Sequence, residues 1–161
     1  MSEVSDVVIT RVFDAPVERV WAAWTEPEFI QKWWGPEGFT APHVSMDFKV
    51  GGSYLYAMHG PAGTPFDVDM WSTGTFEEIV PLKKIAHVQS FADAEGNIVS
   101  PATYGMAELP EKQQVIVEFE VLENNKTQLT LTYTGIPVGA QADSMRTGWN
   151  QSLDKMAVSL G

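Results

Sequence analysis

Apolar and polar residues alternate most cleanly between Gln114 and Leu122, where Val115, Val117, Phe119 and Val121 share one side and Ile116, Glu118 and Glu120 the other. A period of two is that of an extended strand whose faces meet different surroundings. The same period returns from Thr127 to Thr134, with Leu129, Leu131 and Tyr133 opposed to Gln128, Thr130 and Thr132; Glu123-Asn124-Asn125-Lys126 between the two runs predicts a hairpin. Earlier strands are predicted at Val7–Phe13, Pro42–Lys49, Ser53–His59, Val68–Ile79 and Lys84–Phe91, separated by Gly51-Gly52, Gly60-Pro61, Pro81 and the polar run Asp93 to Asn97. The pattern is an antiparallel meander of about seven strands, in which Gly74 marks a bend or bulge. Ser100 to Pro110, with two prolines and one glycine, reads as a loop.

Helical spacing takes over in two places. Val17, Val20, Trp21 and Trp24 fall at i, i+3, i+4 and i+7 behind Pro16, which suits a first helical turn. Glu26-Pro27 ends that helix and starts a second, Glu28 to Trp34, closed by Gly35-Pro36. Near the C-terminus, Met145, Trp149, Leu153, Met156 and Leu160 follow at spacings of four, four, three and four, after a break at Gly135, Pro137 and Gly139. The last twenty-odd residues are therefore a helix of roughly 25–30 Å, long enough to lie across a sheet. One long helix on an antiparallel sheet is an α+β arrangement.

Four of the six tryptophans lie between Phe13 and Phe39. Trp21 and Trp24 sit on the helical stripe and read as core, fixing the first helix to the sheet. Trp33 and Trp34 are neighbours, and neighbours on a helix diverge by roughly 100°, so one of them faces elsewhere, into a cavity or out toward a partner.

Length and composition bound the rest. A chain of 161 residues suffices for one domain with a full core, here taken as 1–161. A net charge of −11 argues against nucleic acid and against an anionic membrane surface. No cysteine is present, which removes disulfides, thiolate chemistry and zinc ribbons. The N-terminus MSEVSDVV lacks a basic, apolar leader pattern, so the expected location is cytoplasmic.

The candidate chemistry is sparse. His43, His59 and His87 stand in separate strands without metal-ligand spacing, so no metal and no cofactor is expected. His87, beside Gln89, reads as a pocket polar group or general base, or else as a satisfied or surface histidine. Asp67 and Asp69 share a face if their segment is extended, and read as an acid–base pair, as ligands, or as a solvated strand edge. Ser152 to Lys155 matches S-x-x-K without its companion motifs and is assigned to chance. No nucleophile elbow, dinucleotide fingerprint or P-loop occurs.

The run from Ala15 to Glu28 (AP-x-x-x-VW-x-AWT-x-PE), Lys32 to Phe39 (KWWGP-x-GF), the D-x-K-x-GG turn from Asp47 to Gly52, and Gly148 to Met156 (GWNQSLDKM) together resemble the activator of heat-shock-protein-90 ATPase homologue family. That family belongs to the START-like, polyketide-cyclase-like (SRPBCC) superfamily. The resemblance implies the helix-grip fold: a seven-stranded antiparallel sheet wrapped around a long C-terminal helix, with two short helices after the first strand. It also implies an elongated apolar cavity between sheet and helix. Lys49 stands where the family usually has arginine, and lysine lacks arginine's planar, two-pronged contact. The chain begins at the first strand, whereas the eukaryotic co-chaperones carry an additional N-terminal chaperone-binding domain, which weakens any expectation of chaperone activation.

In such a fold, parity turns Tyr54, Tyr56, Met58, Phe76, Val117, Phe119, Leu131 and Tyr133 inward from strands. Met145, Trp149, Ser152 and Met156 face them from the helix. The candidate ligand-binding set is accordingly Trp33, Trp34, Tyr54, Tyr56, Met58, Phe76, His87, Phe119, Met145, Trp149, Ser152 and Met156, with no catalytic residue assigned and a filled core as the alternative at each position. The leading expectation is a non-enzymatic protein holding a small apolar or aromatic molecule. The second is an aromatase/cyclase-like or small hydrolytic enzyme using His87, Tyr54, Tyr56 and Asp69. The third is an interaction module that presents a tryptophan of the 33–34 pair to a chaperone or to a second copy of the chain; a homodimer rests on fold analogy alone.

Overall fold

In the computed structural model, which describes residues 3–160, the alternating runs form one antiparallel sheet. Its strands are β1 (Val4–Phe13), β2 (Thr40–Met46), β3 (Ser53–His59), β4 (Asp69–Val80), β5 (Lys84–Ala92), β6 (Gln113–Leu122) and β7 (Lys126–Pro137). They lie in the order β1-β7-β6-β5-β4-β3-β2. Strands two to seven are thus a simple meander, and β1 closes onto its last member. Two short helices, α1 (Val17–Thr25) and α2 (Pro27–Ile30), follow β1, and a 21-residue helix, α3 (Ala140–Leu160), ends the chain. This is the expected helix-grip architecture.

The buried face is the one the alternation marks. Val115, Val117, Phe119, Leu129, Leu131 and Tyr133 are all buried beneath α1 and α3, whereas Val121, on the same parity, is 66 % exposed because β6 there runs past their cover. Polar ties fix α3 to β1. Arg11 donates to Asp154 Oδ1 at 2.7 Å and to the Asn150 carbonyl at 3.2 Å, while Arg146 donates to the Val8 carbonyl at 3.1 Å. On the opposite side of the helix, the Lys155 ammonium donates to the carbonyls of Gly35, Pro36 and Phe39 at 3.0–3.3 Å. Loss of hydration at this half-buried site lowers the Lys155 pKa.

Three details depart from the sequence reading. The second helix is a single turn that stops at Ile30, and only i→i+3 and i→i+4 turn bonds carry the chain on to Trp34. β7 continues through Gly135 to Pro137, since Pro137 is its last residue and a strand end needs no further N–H donor. The β4–β5 irregularity lies between Phe76 and Glu78, so Gly74 is not the bulge. Gly74 is paired with Tyr54 on one side and Gln89 on the other, and a Cβ there would overlap the Val88 carbonyl and the Tyr54 ring. Its role is close approach: the bare position lets the Tyr54 ring cross β4 toward β5.

Candidate functional site

Each element that borders the space between sheet and α3 grades from open to closed along its length. On β6, Gln113 borders a cleft, Val115 and Val117 border a small void, and Phe119 packs against Trp21 with ring centroids 5.2 Å apart. On β5 the series is Phe91 and Gln89, then His87 and Ile85; on β3 it is Met58, then Tyr56 and Tyr54. On α3, Met145, Gly148, Trp149 and Ser152 border the cleft, and Leu153 and Met156 are fully buried beyond it.

The cleft has a volume of about 330 Å³ and the void about 20 Å³. The first lies within the range of small-molecule sites, and the second holds about one water. Trp34, Tyr133 and Trp149 border both and form the partition between them. Trp34 meets Trp149 nearly at right angles at 5.4 Å and Tyr56 at 4.9 Å.

The outcome for the tryptophan pair is a division of roles. Trp33 has no exposed surface and donates its indole N–H to the Ala23 carbonyl at 2.9 Å, which ties the turn after α2 to α1. Trp34 is half-buried and faces the cleft. Neither ring stands out as a surface knob, because α2 ends before the pair and its turn folds both indoles inward. Trp24 stacks on Trp149 at 5.8 Å and borders the void, while Trp21 packs between Phe48 and Phe119.

The other sequence candidates separate into three groups. Met58, Met145, Trp149 and Ser152 line the cleft with Trp34. Trp33, Tyr54, Tyr56, Phe76 and His87 surround only the void. Phe119 and Met156 border neither space, since parity places them on the inner face but at the closed end. Reasoning from strands and helices also missed one wall. Tyr104, Gly105, Met106 and Leu109 come from the segment read as a loop, and Phe66 comes from the β3–β4 connection. The loop wall is anchored at both ends: Tyr104 donates to the Ala92 carbonyl, and Gln141 on α3 accepts from the Glu108 N–H and donates to the Gly105 carbonyl. Tyr104, Met106 and Leu109 in this segment were the available signal.

The electrostatics of the void are those of a sealed polar contact. Tyr54 Oη lies 2.8 Å from His87 Nδ1. Burial, with Tyr56 and Tyr133 nearby, raises the Tyr54 pKa well above its ordinary value, and burial pushes His87 down to about 4. The neutral pair therefore has the tyrosine hydroxyl donating to an unprotonated Nδ1, with the imidazole proton on Nε2. Beside the partition, the Tyr133 hydroxyl donates to Gln89 Oε1 at 2.8 Å. Burial raises the Tyr133 pKa, and Trp149 beside it acts in the opposite sense.

Asp67 and Asp69 do not face the interior. Both accept from His59, Asp69 from Nδ1 at 2.7 Å and Asp67 from Nε2 at 2.8 Å, on the outside of the sheet. The hydrogen bond to Asp69, then that to Asp67, raises the His59 pKa, and the same contact lowers that of Asp67. A doubly donating ring is an imidazolium, and here it pins the 60–67 turn that carries Phe66. The S-x-x-K residues are not assembled, since Ser152 faces the cleft and Lys155 the 35–39 carbonyls. Among the described residues Lys49 reaches only Asp47 of its own turn, at 3.5 Å and in solvent.

Comparison with known proteins brings the same architecture back. The family described as Activator of Hsp90 ATPase homolog 1-like protein matches residues 14–161. No curated protein matches the chain. Among solved structures, a protein of Chromobacterium violaceum superposes with a TM-score of 0.78 at 27% identity, over 97% of this chain and 96% of its own. A protein of Arthrobacter aurescens superposes at 0.78 with 30% identity, over 96% of this chain and 85% of its own. The AHSA1 protein of Silicibacter pomeroyi, at 21% identity, superposes at 0.70 over 97% of each chain and bears on the fold alone.

Proposed function

The chain belongs to the Activator of Hsp90 ATPase homolog 1-like family, and from that premise we propose that it binds a small, largely apolar molecule in the cleft between sheet and α3. The observation that carries this reading is the 330 Å³ opening itself, walled by Trp34, Met58, Phe91, Met106, Met145 and Trp149. Thioether and aromatic side chains adapt to flat apolar ligands at little conformational cost. What favours binding over turnover is where the acid–base groups lie. Among the described residues the cleft lining contains no carboxylate, imidazole or ammonium; His87 and Tyr54 are paired with each other around a water-sized void, and Asp69 is paired with His59 outside. What favours a small molecule over a tryptophan-mediated chaperone contact is that both rings of the 33–34 pair are turned inward.

The test is a two-dimensional NMR titration of the full chain with 1-ethylnaphthalene. Shift changes are expected at Met58, Gln89, Met145 and Trp149. The Met145→Trp variant, which narrows the cleft, should fold and weaken them. Saturable shifts elsewhere, or none at all, would sink the proposal.

A further inference from the structure

The open hydrogen-bonding groups of the cleft specify its ligand more narrowly than its shape does; this step rests on the cleft being a ligand site. Three polar side chains in its lining are at least nine-tenths buried: Gln89 at 9 % exposed, Gln113 at 2 % and Ser152 at 4 %. Each has an atom without a partner among the described residues. Gln89 Oε1 is taken by the Tyr133 hydroxyl, which fixes the amide's orientation and leaves the Nε2 protons free. Gln113 Nε2 donates to the Pro110 carbonyl at 3.3 Å, which leaves Oε1 free to accept. Ser152 lies within α3, where a serine hydroxyl ordinarily bonds back to the preceding turn, and it makes no such bond.

None of these atoms is walled off in protein. Among the described residues, the one sealed and unpartnered side-chain atom is Trp24 Nε1. The free donor of Gln89, the free acceptor of Gln113 and the hydroxyl of Ser152 therefore open onto the cleft. Buried polar groups need partners, and among the described residues no group in the lining can neutralise a charge.

We propose that the cleft selects an uncharged molecule carrying a carboxamide-like edge, one carbonyl acceptor beside one N–H donor, on a flat apolar body. Gln89 Nε2 donates to the ligand carbonyl and Gln113 Oε1 accepts from its N–H. Ser152 completes either bond. Primary amides, secondary amides and lactams fit this description; carboxylates do not, because they present two acceptors and a charge.

Three probes with one naphthalene body separate the possibilities: 1-naphthaleneacetamide, 1-naphthaleneacetate and 1-ethylnaphthalene, titrated into the full chain by calorimetry. The amide should bind about tenfold tighter than either of the others, the scale of a net buried hydrogen bond. Gln89→Met, which keeps the side chain's length, and Ser152→Ala should each shrink the amide-to-hydrocarbon affinity ratio, measured within the same variant, from about tenfold toward one. Should Gln89→Met fail to fold, Ser152→Ala alone carries the comparison. An amide no tighter than the hydrocarbon, an acetate of equal affinity, or an amide preference that survives the substitutions overturns this inference and leaves the cleft a binding site. Failure of all three probes to bind overturns both.

Discussion

The two ends of the space between sheet and α3 are built from similar residues and differ in what fills them. At the closed end, rings meet rings: Trp24, Trp33, Tyr54, Tyr56 and Phe76 leave room for about one water. At the open end the sheet and helix stay apart, and the boundary is made by loops, methionines and amides. The closed end supplies the cohesion that lets the open end remain unfilled. A cavity forfeits contact energy on its lining, and the structure tolerates that loss only because packing is complete elsewhere.

The sharpest way to break this comparison is to truncate one residue at each end. Trp33→Ala should lower unfolding stability by about 3–5 kcal/mol, the usual range for a buried tryptophan, and Met145→Ala by less than about 1 kcal/mol. Chemical denaturation of the two variants checks it; equal losses would mean the cleft is part of the packed core.

Acid should act next most strongly, through His87. Its pKa is depressed when folded, so the unfolded chain binds the extra proton first, and the stability contributed by the neutral ring is present above about 6.5 and lost as pH falls through about 4. A drop from 6.5 to about 4 corresponds to roughly 3 kcal/mol. Urea midpoints of the native chain and His87→Gln, compared from pH 7 to 4, should converge as the pH falls. A constant difference would contradict the sealed-pair geometry.

Gly74→Ala comes third, at about 1–3 kcal/mol for forced overpacking, because the added methyl meets the Val88 carbonyl and the Tyr54 ring. Binding of 1-ethylnaphthalene at the open end should survive it. The smallest effect belongs to the rim. His59 has a raised pKa, so its contribution is present below the ordinary histidine value and is lost as pH rises through the folded one, the reverse of His87. In an NMR titration Asp69→Asn should lower the His59 pKa, while global stability changes little because the cluster is exposed. An unchanged His59 titration would remove the clamp from the account of Phe66.

The difference between the two ends also explains what could be read from the residues alone. Alternation on β6 and β7 announces a buried face, because one-residue slippage would expose every apolar side chain. Parity says which way a residue points and nothing about how far along the gap it lies. Phe119 and Met156 thus share a face with Met58 and Met145, yet sit at the opposite end. The loop wall was illegible for a related reason: Tyr104, Met106 and Leu109 follow no period, and their placement is fixed by hydrogen bonds to Ala92 and Gln141 that are distant in sequence. The tryptophan pair was half legible, since adjacency required divergent directions but did not say which ring took the core.

The partition has an optical consequence. Trp24 and Trp149 are nearly parallel, at 17°, and Trp33 and Trp34 lie within 6.2 Å of Trp149. Indoles this close couple their excited states, so the cluster should show a collective circular-dichroism band that separate tryptophans lack. Two of its four members border the cleft, and a molecule entering there perturbs the coupling without any added label. The protein thus carries its own chromophore for reporting whether the cleft is occupied.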